Sequence, residues 1–321
     1  MRHSLSMTAL AVTAWSALAP PAARAQEVSP ASEASPASPA SAATPASAAT
    51  PATPPRQTEA TSPPHAEAKA ARWYQGQAGH RRAWRLAAVS AAGLAYLASE
   101  TVLKDALTAD ACRWCRPPGI DESIRDSLVW NDRAQADTLS NLTGYVAAPI
   151  VGVGITVIWA ASNTASGEST FGRILDDTLP VAEAVAYSQL LVQAVKFSVG
   201  RQRPRVRFAQ EPGQPGNDDN VSFFSGHSAL TFALATSAGM VARRRGSRLE
   251  PMVWALGYGL AGTTAFLRVA ADEHYATDVA LGSAFGIAAG YLLPRLLDDF
   301  RRRHGLALLP ASGGMTLAGA F

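Results

Sequence analysis

Cysteine is almost absent from this chain, and its scarcity narrows the available chemistry. The two cysteines, Cys112 and Cys115, stand in a single Cys-Arg-Trp-Cys unit. A structural zinc site needs about four ligands, so without a second pair of such residues we expect no metal site. A redox-active pair would need a thioredoxin-like strand and helix, which the surrounding sequence does not predict. For an exported chain we predict a small local disulfide between them.

Charge is also scarce. Charged residues make up 17% of the chain and the formal net charge is only +3, with the basic residues scattered or in short clusters. A continuous basic surface is therefore not expected, and we predict no nucleic-acid partner.

The N-terminal part lacks the large apolar side chains of a folded core. Residues 1–25 are typical of a secretory signal peptide, with an uncleaved anchor as the alternative. Residues 26–70 are almost entirely Ala, Pro, Ser and Thr, which cannot offset the entropy cost of folding, so we predict a disordered linker. A helical domain is expected at 72–304 and a C-terminal tail at 305–321, frayed in one interpretation and paired as a hairpin in the other.

Six apolar stretches predict the architecture of that domain. They lie at about residues 84–103, 142–160, 178–195, 224–242, 252–270 and 276–297. Each is long enough for a helix, strand-like alternation is absent, and their glycine and alanine content suits close helix packing. The predicted fold class is all-α, a bundle of about six main helices.

We expect this bundle to be embedded in a membrane, because the second stretch carries no charge and is long enough to cross a bilayer. Arginine clusters follow the fourth and sixth stretches, and the positive-inside tendency places them in the cytoplasm. A cleaved signal peptide would leave the mature N-terminus outside, and six membrane-crossing stretches after it would then place the motifs in the cytoplasm. Three arrangements stay open: the stretch at 84–103 does not cross, the signal is not cleaved, or the bundle is soluble in the periplasm.

Three groups of polar residues interrupt the apolar segments. They are Lys196, Arg203 and Pro204; Ser225, Gly226 and His227; and Arg268, His274 and Asp278. Permanent cations among apolar residues need an anion, and guanidinium groups match phosphate oxygens in pairs. The second group stands where a helix begins, and the unpaired N–H groups of a helix start also point at an anion. The pattern therefore predicts a phosphate site.

The pattern resembles that of the type 2 phosphatidic acid phosphatase and vanadium haloperoxidase superfamily. That family carries Lys-x6-Arg-Pro, Pro-Ser-Gly-His and Ser-Arg-x5-His-x3-Asp in the same order, and the resemblance covers about the last half of the chain. Two positions depart from it, because Phe224 replaces the proline and Leu267 replaces the serine. Neither departure removes a phosphate-contacting group of the family scheme, so the resemblance implies the family's reaction.

The resemblance also implies a role for each matched residue. His274 is expected to attack phosphorus and form a phosphohistidine, while His227 protonates the leaving oxygen. Asp278, four residues after His274, is expected to accept a hydrogen bond from its ring. The expected phosphate-binding residues are Lys196, Arg203, Ser225, Gly226 and Arg268. No metal or other cofactor is needed, since the cations stabilise the developing charge, and vanadate is expected to inhibit.

The function predicted is hydrolysis of a phosphomonoester or diphosphate, on the periplasmic side of a bacterial-type inner membrane, with a phosphorylated lipid as substrate. The alternatives are a soluble periplasmic acid phosphatase acting on small phosphate esters, a haloperoxidase with vanadate as cofactor, a lipid phosphotransferase, and a non-catalytic lipid-binding membrane protein. Three further arginines, Arg201, Arg205 and Arg207, flank the first motif. We interpret them as a solvated basic face, with contact to a lipid or diphosphate headgroup as the alternative.

Overall fold

The computed structural model describes residues 64–210, 216–304, 307–311 and 314–318. The predicted signal peptide and most of the predicted linker lie outside these residues. The first described helix begins at Pro64, inside the stretch expected to be linker. The domain that follows is helical, and the all-α fold class is confirmed.

The long helices coincide with the apolar stretches, and shorter helices lie between them. They are α1 (Pro64–Thr101), α2 (Lys104–Leu107), α3 (Gly119–Leu128), α4 (Arg133–Ser162), α5 (Thr170–Val199), α6 (Pro204–Arg207), α7 (Gly226–Arg244), α8 (Glu250–Ala270) and α9 (Ala276–His304). Within α4, two stretches have wider π-helical turns, Leu142–Ala147 and Ile150–Gly154. After α9, β1 (Ala307–Ala311) and β2 (Gly314–Ala318) pair antiparallel, so the described residues of the C-terminal tail are paired as in a hairpin.

The central helix is α7, and small residues explain its position. It packs against α5, α8 and α9, and its buried positions are mostly Ala, Ser and Thr. On α9, Gly282, Gly286 and Gly290 recur every fourth residue along the face turned to α7. A Cβ atom at Gly286 would lie 2.4 Å from the carbonyl oxygen of Ala229. Glycine therefore lets the two backbones approach closely, which brings the start of α9 beside the start of α7.

Helix α1 runs from one end of the bundle to the other. Near its middle, Arg85 donates to the buried carboxylate of Glu183 at 2.8 Å, and Arg301 of α9 binds the same carboxylate. Near its end, Glu100 lies 3.9 Å from the ammonium group of Lys196. The arginine-rich end of α9 therefore lies at the same end of the bundle as Arg85 of α1, and the predicted motifs lie at the opposite end.

The outer surface of the bundle is unusually apolar. Exposed large side chains on its helices include Leu94, Leu97, Ile150, Ile158, Leu256, Phe266, Leu292 and Leu296. Two helical segments, Arg133–Ser162 and Ala276–Arg303, are long and apolar enough to cross a membrane by length and composition. Exposed apolar surface of this kind is typical of contact with lipid or with a partner protein.

A small cross-linked loop lies against the first motif. Cys112 and Cys115 are joined in a disulfide with their Cα atoms 5.4 Å apart. Between them, Trp114 forms a backbone bridge with Arg201, and its ring lies 4.0 Å from the guanidinium carbon of that residue. The loop therefore packs on the segment that leaves α5 and enters the motif region.

Candidate active site

Four helix ends bring the three motifs together. Lys196 lies in the last turn of α5, and Ser225 immediately precedes α7. Arg268 lies in the last turn of α8, and His274 lies in the loop before α9. All four side chains are buried. The predicted site residues thus come from segments far apart in sequence and meet at one end of the bundle.

The ring of His274 is oriented by the backbone. Its Nδ1 lies 2.7 Å from the carbonyl oxygen of Ser222, and since a carbonyl only accepts, Nδ1 carries the proton. Nε2 therefore keeps its lone pair and lies 3.4 Å from Nη1 of Arg203. Burial lowers the pKa of His274 well below its ordinary value, and the charges of Arg203 and Arg268 lower it further. The result is a neutral imidazole with its lone pair towards the cations, as a nucleophile requires.

Asp278 does not hold that ring, contrary to what its spacing predicts. Its Oδ2 lies 3.8 Å from Nδ1 of His274, beyond hydrogen-bonding distance. The reason is that α9 begins only at Ala276, so the histidine lies in the preceding loop and not one turn back on the same helix. Asp278 instead accepts hydrogen bonds from the Ser222 hydroxyl and, at 3.0 Å, from the Tyr275 N–H. It fixes the two segments that carry and orient His274.

One carboxylate bridges Arg203 and Arg268, the two arginines that were predicted to bind phosphate. Glu273 accepts a hydrogen bond from Nη1 of Arg203 at 2.8 Å, and its same oxygen lies 3.6 Å from Nη2 of Arg268. Its other oxygen lies 3.1 Å from Nε of Arg205. Glu273 thereby neutralises part of the charge that a bound anion would use, so a phosphate group entering the site competes with it.

Arg203 is also held from a second side. Its Nε donates to the backbone carbonyl of Asp218 at 2.7 Å. Burial raises the pKa of the Asp218 carboxyl, but the charges of Arg203 and Lys104 outweigh burial and hold that pKa well below its ordinary range. Among the residues that the structure describes, no group of three or more His, Cys, Asp or Glu side chains is arranged to hold a metal ion.

The start of α7 faces the ammonium group of Lys196. Ser225 caps the helix, since its Oγ accepts a hydrogen bond from the N–H of Ser228 at 3.4 Å. Gly226 is the first helical residue, and a Cβ atom there would lie 3.4 Å from Nζ of Lys196. An anion bound by this lysine would therefore also lie close to the unpaired N–H groups of a helix start.

His227 is held by α4, a helix that carries none of the motifs. Its Nε2 lies 2.8 Å from Oδ1 of Asn141, and the ring of Tyr145 packs on it with centroids 4.4 Å apart. Asp137, on the same helix, pairs with Arg268. Asp137, Asn141 and Tyr145 were not among the residues predicted from the sequence, although their spacing of four is a signal that places all three on one face of a helix.

Arg201 is not part of a solvated face, and that interpretation is wrong. The residue is 1% exposed, and its guanidinium lies 4.0 Å from the ring centroid of Trp114 and 4.2 Å from that of Tyr275. It donates to Asp121 of α3 at 2.7 Å and pairs with Asp278. Arg201 therefore ties α3 and α9 together behind the His274 loop.

The other two flanking arginines differ from it. Arg207 is exposed, and Arg205 is half-buried between Glu273 and Asp219, whose oxygens lie 3.1 Å and 3.3 Å from its guanidinium. Arg205 is therefore engaged with the site's acidic residues, while the solvated-face interpretation holds for Arg207.

Both departures from the family pattern fill core positions. Phe224 is buried in a cluster with Val192, against which Phe285 also packs. Leu267 is buried in a second cluster that includes Ala136 of α4. Both side chains therefore stabilise the packing of the helices around the site.

Comparisons with known proteins find a matching family model, a relative and a solved structure. Residues 177–302, which include all three motifs, match the model of the PAP2 superfamily, so the resemblance is confirmed. The lipid A 1-phosphatase of Porphyromonas gingivalis is 37% identical over 102 residues, which are 32% of this chain and 20% of that protein. The match thus spans about a fifth of that relative's length. The crystal structure of a transmembrane PAP2 type phosphatidylglycerolphosphate phosphatase from Bacillus subtilis is 20% identical, covers 67% of this chain and 98% of its own, and has a TM-score of 0.41.

Proposed function

Residues 177–302 belong to the PAP2 superfamily, and on that premise we propose that the chain is a phosphatase that hydrolyses a phosphomonoester or diphosphate without a metal ion. The observation that carries this proposal is the neutral ring of His274, whose Nε2 lies 3.4 Å from Arg203 in a site that also holds Arg268 and Lys196. The name of the Porphyromonas gingivalis relative supports the same class of reaction.

In the proposed reaction, Nε2 of His274 attacks phosphorus while the bond to the leaving oxygen breaks. His227 gives that oxygen a proton as it takes the electron pair. The side chains of Lys196, Arg203 and Arg268 hold the three remaining phosphoryl oxygens through the transition state. Water then attacks the phosphohistidine, His227 takes a proton from it, the N–P bond breaks, and phosphate leaves a neutral His274.

In this scheme the Ser222 carbonyl has the role that was predicted for Asp278 from its spacing to His274. By accepting from Nδ1 at 2.7 Å, it keeps the proton off Nε2 and makes Nε2 the attacking atom. We therefore assign Asp278 an indirect role, which is to fix the segments of Ser222 and Tyr275 around the nucleophile.

We propose a phosphorylated lipid as the substrate. Exposed apolar side chains cover the sides of the bundle, two helical segments are able to cross a bilayer, and the site lies at the ends of these helices, where headgroups of a surrounding bilayer would be. The relative named as a lipid A 1-phosphatase acts on a lipid phosphate by its name. Free phosphate esters handled by a soluble protein are the alternative that the assay below separates.

We further propose that the site faces the periplasm. The arginine clusters at residues 243–245 and 301–303, and Arg85 of α1, lie at the opposite end of the bundle, which the positive-inside tendency assigns to the cytoplasm. Because α1 traverses the bundle with the other helices, this arrangement favours an uncleaved leader over a cleaved signal. A topology reporter inserted at Gly246, in the turn after α7, is expected to read out as cytoplasmic. A periplasmic readout would overturn the orientation.

The activity is tested by phosphate release from phosphatidic acid in detergent and from p-nitrophenyl phosphate, both in excess EDTA. We expect release that survives EDTA, stops with vanadate and favours the lipid, with the exposed Arg207→Gln variant as an unaffected control. Loss of activity in EDTA would contradict metal independence. A preference for the small ester would support a soluble acid phosphatase. Transfer of the phosphoryl group to an added alcohol would support a phosphotransferase. Oxidation of bromide by the vanadate-bound protein would support a haloperoxidase. Absence of all these activities would favour a lipid-binding protein.

A further inference from the structure

We infer that Asn141 is a positioning residue for His227, which fixes the nitrogen that keeps a ring proton and thereby supports the hydrolysis of substrates with poor leaving groups. The inference rests on the proposed phosphatase function and deepens it. Asn141 lies on α4, outside residues 177–302 that match the family model, and no motif in the sequence includes it.

The orientation of the Asn141 amide is set by its second neighbour. Its Nδ2 donates to Oδ2 of Asp137 at 3.1 Å, and the other oxygen of that carboxylate, Oδ1, pairs with Arg268, so the carboxylate is ionised and only accepts. The amide oxygen must therefore be the atom turned to His227, whose Nε2 is 2.8 Å away. An amide oxygen only accepts, so Nε2 of His227 is the donor and keeps its proton.

This arrangement decides which proton moves. A protonated His227 carries hydrogen on both ring nitrogens, and Asn141 accepts the one on Nε2. When the phosphorus–oxygen bond breaks, the leaving oxygen takes the electron pair and the Nδ1 proton, and the ring returns to the neutral form with hydrogen on Nε2. Nδ1 makes no hydrogen bond with any residue in the part of the chain that the structure describes, so it is the nitrogen able to reach the leaving oxygen.

The same face of α4 also confines the ring in space. A Cβ atom at Gly144 would lie 3.2 Å from Cδ2 of His227, so the ring packs directly on the helix backbone. Tyr145 packs on the ring with centroids 4.4 Å apart. Together with Asn141, these residues contact the imidazole at three points of one helix face, which limits its rotation and leaves the amide hydrogen bond in a single geometry.

The leaving group provides the test. A p-nitrophenolate departs without much protonation, whereas an alkoxide needs a proton, so general-acid catalysis matters far more for an alkyl phosphate. For Asn141→Leu we expect a loss of about 10- to 100-fold on hexyl phosphate and less than about threefold on p-nitrophenyl phosphate. Asn163→Leu, at the exposed position immediately after α4, is the matched control and should change neither rate. An equal loss on both substrates would overturn the inference.

A second variant separates positioning from folding. Asn141→Asp keeps an acceptor of the same size, so it should restore much of the rate on hexyl phosphate and move the alkaline limb of kcat/KM to higher pH, because a carboxylate stabilises protonated His227. Asn141→Leu should move that limb to lower pH. The charged and titratable groups that face His227 are Arg268, Lys196, Arg203, Asp218 and His274, and neither variant replaces any of them. Identical pH profiles in the two variants would contradict the role.

The two levels of proposal fail differently in this experiment. Wild-type protein that hydrolyses neither substrate would refute the proposed phosphatase function itself. Wild-type turnover of both substrates, with a ratio of rates that Asn141→Leu leaves unchanged, would refute only the role of Asn141. Vanadate binding, followed by its protection against thermal unfolding, shows that each variant retains a folded anion site.

Discussion

Replacement of Arg201 by methionine should destabilise the protein far more than its place in a basic loop suggests. Its guanidinium pairs with two fully buried carboxylates, those of Asp121 and Asp278. Methionine is long enough to fill the space between the rings of Trp114 and Tyr275, but it has no charge and no donor. Both carboxylates would then stay buried without their counter-ion.

The loss of stability depends on the hydrogen bonds that each carboxylate keeps after the substitution. Removal of one member of a buried ion pair typically costs about 3–5 kcal/mol, because the other charge stays buried. Asp121 keeps hydrogen bonds from the N–H and hydroxyl of Thr277 at 2.9 and 2.7 Å, and Asp278 keeps those from the Ser222 hydroxyl and the Tyr275 N–H. The cost should therefore stay near that of one pair, which corresponds to a fall in Tm of roughly 6–20 °C at about 2–4 °C per kcal/mol.

The assay is thermal unfolding of the purified protein in detergent, followed by tryptophan fluorescence. Arg207→Met is the control, because Arg207 is exposed and lies close by in sequence, at the end of α6, and surface substitutions usually change stability by about 0.5 kcal/mol or less. If Arg201→Met and Arg207→Met unfold at the same temperature, the reasoning about the buried ion pairs is refuted.

Three further predictions concern the site and its packing. Burial lowers the pKa of His274 well below its ordinary value of 6.5, and the nucleophile must be neutral. The acid limb of the kcat/KM profile that His274 sets should therefore lie below pH 6.5. An acid limb above that pH would contradict the burial of His274. Gly286→Ala should cost about 1–3 kcal/mol, because its Cβ would lie 2.4 Å from a backbone oxygen, whereas Gly259→Ala, with open space, should not destabilise. Glu273→Gln should tighten vanadate binding about fivefold, through loss of a competing charge worth about 1 kcal/mol, and weaker binding would count against that competition.

The fold class and the meeting of the motifs followed from local signals in the sequence, while the supports of the site did not. Apolar stretches and motif spacing are properties of neighbouring residues. By contrast, Arg201 pairs with Asp121, which is 80 positions away in the sequence, and His227 bonds to Asn141, which is 86 positions away. Such pairs depend on helix packing. The sequence around a buried loop arginine therefore does not differ from the sequence around an exposed one.

Asp278 shows the opposite error, in which a local rule was applied too far. Its spacing of four from His274 predicts a contact on one helical face, but α9 begins between the two residues. The ring instead donates its hydrogen bond to the backbone carbonyl of Ser222, and no side-chain pattern in a sequence marks such an acceptor.

The most direct test of the central claim is to trap the covalent intermediate. Wild-type protein would be mixed briefly with a radiolabelled phosphate ester, quenched in alkali and mapped by mass spectrometry, beside His274→Ala. The account predicts an acid-labile phosphoryl group on Nε2 of His274 that is absent from the variant. Label that persists in His274→Ala, or an acid-stable label on another residue, would contradict it.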